Sequence, residues 1–233
     1  MSLMISGFGG ADEIKPDYEI VSWITGTTAQ IEAMLEAAEQ GKIDLSDYWS
    51  IGQERTSGSI NWVLTDFNDT TSGGTSYNAI IHSKNTIENF GMNTSNTNVG
   101  GWSSSNMRTT KMASLYNNLE AGFKSLIKQV TNISGAGNQS NTTQTTNDYL
   151  WLFSEMEVQG AKSYAGSAEA AKCKQMQYFK TADNKKKTGS ATAWWLRSPI
   201  VSNATSFCAV HTDGGAGYYY ASTTFGVVPV AAI

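Results

Sequence analysis

The stretch Trp194-Trp195-Leu196-Arg197-Ser198-Pro199 predicts a strand whose two indoles anchor opposite faces of a sheet. The composition changes directly after it. Residues 198–233 contain no Lys, Glu, Gln, Met, Trp or Arg, although the rest of the chain uses all six. A rigid aromatic anchor followed by small, polar and tyrosyl side chains is typical of a recognition surface and not of a catalytic pocket.

The patterns on either side of this stretch predict an α+β domain. Apolar residues recur at helical spacing after Thr28, and Gly214-Gly215 predicts a hairpin in the tail. Helices are predicted over about 28–40, 107–119, 121–130 and 168–179, and strands over 48–52, 59–67, 77–82, 149–153, 193–197, 207–212, 218–221 and 225–230. A polar, mobile loop is predicted over 132–147. The irregular order of helices and strands favours an antiparallel sheet.

The length and composition fit one domain, residues 28–233, preceded by an N-terminal arm over residues 1–27. Only 15% of the 233 residues are charged, and the net charge is −4. So few basic side chains argue against a nucleic-acid partner. No apolar run approaches the ~20 residues of a membrane helix, so we expect no membrane insertion. The N-terminus also lacks the pattern of a signal peptide.

The side chains that could carry chemistry are scattered. His82 and His211, the two histidines, lie near no second ligand at metal-binding spacing, so the sequence predicts no metal and no cofactor. Cys173 and Cys208 are expected to be free, buried thiols. The chain is therefore predicted not to be an enzyme, and no catalytic residue is assigned.

Several charged residues are expected to have structural roles. The run Lys185-Lys186-Lys187 predicts a solvated loop. Ser154 and Glu157 have the spacing of a capping box, and Glu155 and Glu157 are otherwise expected to face solvent. Arg197 is expected to donate hydrogen bonds to backbone carbonyls and so hold the loop after Pro199.

The strongest binding feature is Tyr218-Tyr219-Tyr220. In a strand Tyr218 and Tyr220 share one face, and at least two of the three are expected to be exposed, because each buried hydroxyl would need a partner. Tyrosine offers a large contact area at a low rotamer cost. The candidate ligand-binding residues are all in the tail: Ile200, Ser202, Asn203, Ser206, His211, Asp213, Tyr218, Tyr219, Tyr220 and Thr223.

A series of motifs extends this interpretation: Gly100-Gly101-Trp102, Ser105-Asn106-Met107-Arg108-Thr109, Leu152-Phe153-Ser154-Glu155-Met156-Glu157-Val158, the Trp194–Pro199 stretch and a Gly-Val-x-Pro ending. Over about residues 28–233 the series resembles a family of bacterial, prophage and phage domains with a C-type-lectin-like fold. Some members are variable proteins of diversity-generating retroelements. The resemblance implies two main helices packed on a small twisted antiparallel sheet, with a variable ligand-display region over about 198–233.

In those systems, mutagenesis of adenines changes AAY codons, which cannot become Lys, Glu, Gln, Met or Trp. These are five of the six residue types missing after Arg197, although a β-rich tail would also be poor in most of them. The resemblance implies a receptor-recognition protein on a phage virion or cell surface. Its partner would be an unknown protein or glycan ligand on a host or neighbouring cell, and the oligomeric state stays open.

The chain departs from the family in its ending. Gly226-Val227-Val228-Pro229-Val230 stands where relatives usually have Gly-Val-Arg-Pro-Ala, so any orienting role of that arginine is missing or moved. The calcium motif of animal C-type lectins is absent, so the fold alone implies no calcium-dependent sugar site. Two alternatives remain: a structural virion or surface module without diversification, and an enzyme of the formylglycine-generating type.

Overall fold

Short helices and three small sheets make up the part of the chain that the computed structural model describes, residues 17–189 and 193–233. The α-helices are α1 (Thr28–Glu39), α2 (Gly101–Ser104), α3 (Ala113–Asn117), α4 (Ala121–Ser125), α5 (Glu155–Gln159) and α6 (Ser167–Ala170). A π-helical stretch, Met107–Met112, lies between α2 and α3, and 3₁₀ turns cover Leu45–Asp47, Gln177–Lys180 and Ala182–Lys185.

The strands are β1 (Glu54–Ser57), β2 (Ile60–Thr70), β3 (Ser76–Ser83), β4 (Asn89–Phe90), β5 (Val130–Gly135), β6 (Thr143–Asp148), β7 (Trp194–Pro199), β8 (Ser206–Val210), β9 (Ala216–Tyr220), β10 (Phe225–Gly226) and β11 (Val230–Ala232). This mixture of helices with mainly antiparallel sheets confirms the predicted α+β class. Residues 1–16 of the predicted N-terminal arm lie outside the described residues.

Helix α1 begins where the sequence predicts it. The Thr27 hydroxyl accepts a hydrogen bond from the Gln30 N–H at 3.3 Å, and the Gln30 side chain accepts one from the Thr27 N–H at 2.9 Å. This reciprocal pair is a capping box. The helix buries side chains at the spacing that predicted it: Ile31, Met34 and Leu35. Its buried face fixes it beside β3, whose Asn78 side chain donates to the Leu35 carbonyl at 3.2 Å.

The first sheet has the strand order β1-β2-β3-β11 and contains the predicted hairpin, β2–β3. A bulge shifts the register of that hairpin between Leu64 and Asp66. The C-terminal strand β11 pairs antiparallel with β3, with Val230 opposite His82. All three residues of β11 are buried. The end of the chain therefore completes a sheet that begins in its N-terminal half.

The second sheet has the order β4-β10-β7-β8-β9, with the Trp194–Pro199 strand β7 at its centre. Every residue of β7 is buried. The indole N–H of Trp194 donates to the Lys185 carbonyl and that of Trp195 to the Phe90 carbonyl, both at 2.9 Å. Strands β8 and β9 form the predicted hairpin around Gly214-Gly215. The tail therefore supplies strands β8, β9 and β10 of this sheet.

The third sheet is a hairpin of β5 and β6, so the mobile loop predicted over 132–147 is wrong. The Thr131 N–H donates to the Thr75 hydroxyl at 2.9 Å, and the Thr71 hydroxyl donates to the Thr131 carbonyl. The turn between β2 and β3 thus binds this hairpin through backbone groups. A polar composition does not reveal such contacts, because they join segments about 60 residues apart.

Other predicted elements differ from the structure. The helix predicted over 121–130 ends at Ser125, and the strand predicted over 225–230 is divided into β10 and β11. Residues 48–52 form a turn, and residues 149–153 are mostly buried but pair only through a bridge between Trp151 and Val230. The helix predicted over 168–179 is divided into α6 and a later 3₁₀ turn. Short apolar runs are buried by tertiary packing in any backbone conformation, so apolarity alone does not distinguish strand from loop.

The core is one contiguous cluster of buried side chains within the described residues, and it includes all seven tryptophans. The two larger sheets contribute to it together with α1 and the apolar side of the segment from α2 to α4. None of the helices in the described ranges is both long and apolar enough to cross a bilayer.

Candidate functional site

Strand β9 is the outer strand of the second sheet and carries the three consecutive tyrosines. Tyr218 and Tyr220 point to one face and are 44% and 59% exposed. Tyr219 points to the other face, where its hydroxyl hydrogen-bonds Nδ1 of His211 at 2.9 Å and its ring packs edge-on against Phe225. The prediction that at least two of the tyrosines are exposed is confirmed.

The backbone of β9 has an open edge. The Ala221 N–H donates to the Thr205 carbonyl, and the His211 N–H donates to the Gly215 carbonyl. Because backbone groups alternate in direction along a strand, those of Tyr218 point away from β8. No strand among the described residues pairs with that edge. Exposed tyrosines therefore lie beside backbone groups of the kind that accept an added strand.

Five of the other predicted ligand-binding residues are exposed or half-buried: Ser202, Asn203, His211, Asp213 and Thr223. Ser202, Asn203 and Thr223 lie at one end of β9. His211 and Asp213 lie at the other end, in the turn between β8 and β9. A five-residue strand is about 17 Å long. The structure therefore brings the predicted residues together in two groups joined by the tyrosines.

Ile200 and Ser206 are buried, so their prediction as ligand contacts is wrong. Ile200 forms a bridge with Ala165, and Ser206 lies in β8, which has a strand on each side. Inner strands of a sheet are covered where outer strands are not. These two residues support the surface and do not form it.

Asn98 holds the loop 200–206 and was not predicted. Its backbone N–H donates to the Ala204 carbonyl at 2.7 Å, and its Oδ1 accepts from the Asn138 N–H at 2.8 Å. Its buried side-chain amide donates toward three carbonyls of the loop: Ile200 at 3.2 Å, Asn203 at 3.0 Å and Ser206 at 2.8 Å. An asparagine in a polar segment carries no local signal of burial, so the sequence could not identify it.

Glu155 positions the loop that packs on Tyr218, and it is buried, contrary to the prediction that it faces solvent. Its carboxylate accepts hydrogen bonds from three consecutive backbone N–H groups, at 2.8 to 3.1 Å: Ser163, Tyr164 and Ala165. The Tyr164 ring meets the Tyr218 ring edge-on at 4.8 Å. The Glu155 N–H donates to the Ser198 hydroxyl at 3.0 Å. A single residue therefore connects β7 to an exposed tyrosine.

Arg197 and Glu157 form a bidentate ion pair inside the core, with N–O distances of 2.5 and 2.7 Å. Arg197 also donates to the backbone carbonyls of Leu152, at 2.9 Å, and Ile133, at 3.3 Å. The predicted bonds to carbonyls and the Ser154 capping box are confirmed. The prediction that Glu157 faces solvent is wrong, because the first turn of α5 packs against β7.

Glu169 is a buried carboxyl group next to β7. The Ser198 hydroxyl donates to its Oε1 at 2.9 Å, and its Oε2 has no hydrogen-bond partner among the described residues. Burial raises the pKa of Glu169 to about 7, because the charged form loses its hydration. A substantial fraction of this carboxyl is therefore protonated at neutral pH.

Lys187 is buried, so the prediction of a solvated lysine run is wrong at this position. Its Nζ lies 2.7 Å from Nε2 of His82, and it lies over three aromatic rings at 5.3 to 5.8 Å: Tyr178, Phe179 and Trp194. Burial lowers the pKa of Lys187 to about 7. Lys186 is exposed, as predicted.

Cys173 and Cys208 are free, and Cys208 is fully buried as predicted, whereas Cys173 is only partly covered. Burial raises the pKa of Cys173 to about 12 and that of Cys208 well above its ordinary value. Both thiols are therefore protonated at neutral pH. Residues 17–189 and 193–233 contain no group of three His, Cys, Asp or Glu side chains arranged to hold a metal ion.

A family model described as a domain of unknown function (DUF6273) matches residues 76–233, more than half of the chain. The match begins at β3 and includes the tail and every motif from Gly100 onward. No curated protein and no solved structure matches the chain.

Proposed function

The chain belongs to the DUF6273 family, and we propose that it is a receptor-recognition protein displayed on a phage particle or a cell surface. In this proposal its C-terminal region, about residues 198–233, binds a protein or glycan on a host or neighbouring cell. The same region is diversified by a retroelement, and the domain has a C-type-lectin-like fold.

The observation that carries the proposal is the contrast between two neighbouring strands. Every residue of β8 is buried, whereas Tyr218 and Tyr220 on β9 are exposed. Side chains on β9 can therefore change with little loss of core packing, while β7 and β8 hold the backbone in place. A rigid frame with exchangeable tyrosine and small polar side chains suits a binding surface.

The proposed fold is supported by where the motifs of the resemblance lie. The Trp102 indole donates to Oδ2 of Asp148 at 3.1 Å, and Arg108 pairs with Oδ1 of the same residue at 2.6 Å. The later motifs meet in the ion pair of Glu157 with Arg197. Residues far apart in the sequence thus form shared buried contacts, as expected for motifs that specify a common frame.

The diversification is tested by sequencing the gene and its surroundings in several isolates. We expect substitutions confined to exposed tail positions, a near-copy of the 3′ segment and an adjacent reverse transcriptase gene. Variation spread evenly over residues 28–190, with no such gene nearby, contradicts the proposal. It would favour the alternative of a structural virion or surface module.

The binding surface is tested with two display libraries of equal size. One is randomised at Ser202, Tyr218 and Tyr220, and the matched control is randomised at Ile200, Ser206 and Phe207. Resistance to protease measures folding, and we expect most clones of the first library and few of the second to fold, since buried substitutions commonly cost 1–3 kcal/mol or more. Similar losses in both libraries would show that the tyrosines are needed for the core.

An enzyme of the formylglycine-generating type is the weaker alternative. Such chemistry needs reactive thiols, and burial raises the pKa of both Cys173 and Cys208. Cys208 is also inaccessible within β8. Oxygen- or copper-dependent activity that is lost in Cys208→Ala would favour this alternative over recognition.

A further inference from the structure

A cleft of about 490 Å³ lies outside the tail, between the π-helical stretch and the end of β6. We call it the tyrosine cleft, since Tyr116 and Tyr149 line it together with Arg108, Met112, Asn147 and Leu150. Its volume is in the usual range for small-molecule sites, about 300–1,000 Å³. Met112 and Leu150 are buried and make its deeper part apolar.

The tyrosine cleft has a preformed aromatic wall. The rings of Tyr116 and Tyr149 stack almost in parallel, with centroids 4.4 Å apart and planes 9° from each other. The Lys124 ammonium lies 4.3 Å from the centre of the Tyr116 ring. Tyr149 is 38% exposed. The two rings already fill the space between them, so a ligand can use the Tyr149 surface but cannot insert as a third flat ring.

The polar side chains that line the cleft itself are neutral as a set, since Arg108 and Asp148 carry opposite charges. Arg108 pairs with Asp148 at 2.6 Å, and it also donates to the backbone carbonyls of Ser103 and Asn147. Three of the five N–H groups of its guanidinium are therefore already used, and the Asp148 carboxylate compensates its charge. Asn147 accepts from the Thr131 hydroxyl through Oδ1 at 3.0 Å, which leaves its NH₂ group able to donate.

The backbone of the cleft is unusual, and this observation is independent of the cavity. Arg108 and Met112 both belong to the π-helical stretch Met107–Met112. π-Helical turns are rare and are found frequently at functional sites, because they widen the helix and redirect its side chains. Here the widened turn supplies one wall of the tyrosine cleft.

We propose that the tyrosine cleft binds a pyranose ring of a glycan. One face of a pyranose carries C–H groups that can pack on the Tyr149 ring, while its hydroxyl groups can bond amides and phenol groups at the rim. A neutral, hydroxyl-rich ring fits a cleft in which the charges of Arg108 and Asp148 compensate each other. The site does not overlap the tail surface, so it is separate from the receptor-recognition site proposed above.

The test is saturation-transfer NMR on the full chain with a panel of methyl glycosides of glucose, galactose, mannose and N-acetylglucosamine. We expect transfer to the C–H protons of at least one sugar, and a dissociation constant roughly tenfold higher for Tyr149→Ala and Tyr149→Leu. Tyr149→Phe keeps the ring and should retain most of the binding. Tyr218→Ala, which changes the tail surface, and Tyr48→Ala, another exposed tyrosine, should bind as the parent does.

Thermal melting of each variant shows whether it is folded, and Tyr149→Leu keeps apolar bulk in case Tyr149→Ala is unstable. The proposal is overturned if no glycoside in the panel receives transfer, or if both folded Tyr149 variants bind as tightly as the parent. Binding that is lost only in Tyr218→Ala would place the sugar on the tail surface and would also overturn it.

Discussion

Replacing Asn98 by aspartate tests whether one buried amide holds the binding loop. The substitution keeps the side-chain shape and the Oδ1 that accepts from Asn138, but it removes the donors to three carbonyls. The Ser206 carbonyl keeps a bond from the Ile200 N–H at 3.2 Å, so two carbonyls lose their donor. An unsatisfied buried group costs roughly 1–3 kcal/mol. Two such carbonyls, of which that of Asn203 is only half-buried, should lower the free energy of unfolding by about 3 kcal/mol.

The loss should depend on pH. A buried carboxylate that faces carbonyl oxygens has a folded-state pKa above the ordinary value of about 3.9. Its charged form then destabilises the fold as the pH rises above that unfolded-state value. The difference in unfolding free energy between Asn98→Asp and the parent should therefore be largest at pH 7 and shrink toward pH 4.

Urea unfolding, followed by the fluorescence of the seven buried tryptophans, measures this difference at both pH values. Asn96→Asp is the matched control, since exposed Asn96 accepts from the Ser222 hydroxyl through Oδ1 at 2.6 Å, a bond that aspartate retains. We expect a change below about 0.5 kcal/mol for it. Equal midpoints for the two variants at pH 7 would refute the role assigned to Asn98.

Two further predictions concern the charges under the surface. Glu169→Gln removes a carboxyl group whose pKa is about 7 in the folded protein, against an ordinary value of 4.5. The substitution should therefore raise the free energy of unfolding by up to ~3 kcal/mol at pH 8 and by little at pH 4. A gain that is the same at both pH values in urea titrations contradicts this prediction. Arg197→Met leaves the Glu157 carboxylate buried without its partner, so the free energy of unfolding should fall by about 3–5 kcal/mol. Adding Glu157→Leu should restore part of that stability, and thermal melts that show no recovery would exclude the ion pair as the cause.

Local signals predicted the elements that depend on local physics. The capping box at Thr27, the alternation that defines β2 and β3, and the glycine pair at Gly214-Gly215 act over a few residues, and each is present in the structure. The exposure of Tyr218 and Tyr220 also followed from strand alternation. The polar hairpin β5–β6 could not be predicted from local signals, because it is held by contacts with a turn some 60 residues away.

The burial of charged groups required tertiary information. The sequence predicted that Glu155 and Lys187 face solvent, yet both are buried. Glu155 is compensated by three backbone N–H groups of another loop, and Lys187 by the His82 ring and aromatic faces. Such partners lie far away in sequence, and no spacing rule identifies them. The tyrosine cleft is equally long-range, because it joins Tyr116 of one helix to Tyr149 of a later segment.

The order of residues alone determined that a buried double-tryptophan strand would lead into a tail of tyrosine and small polar side chains, because composition and alternation need no third dimension. Strand order decided which tail residues reach solvent. Ser206 is covered because β8 lies between β7 and β9. Tyr220, directly opposite it on the outer strand β9, is exposed. Position within a sheet is set by pairing between distant segments, and only the folded chain shows it.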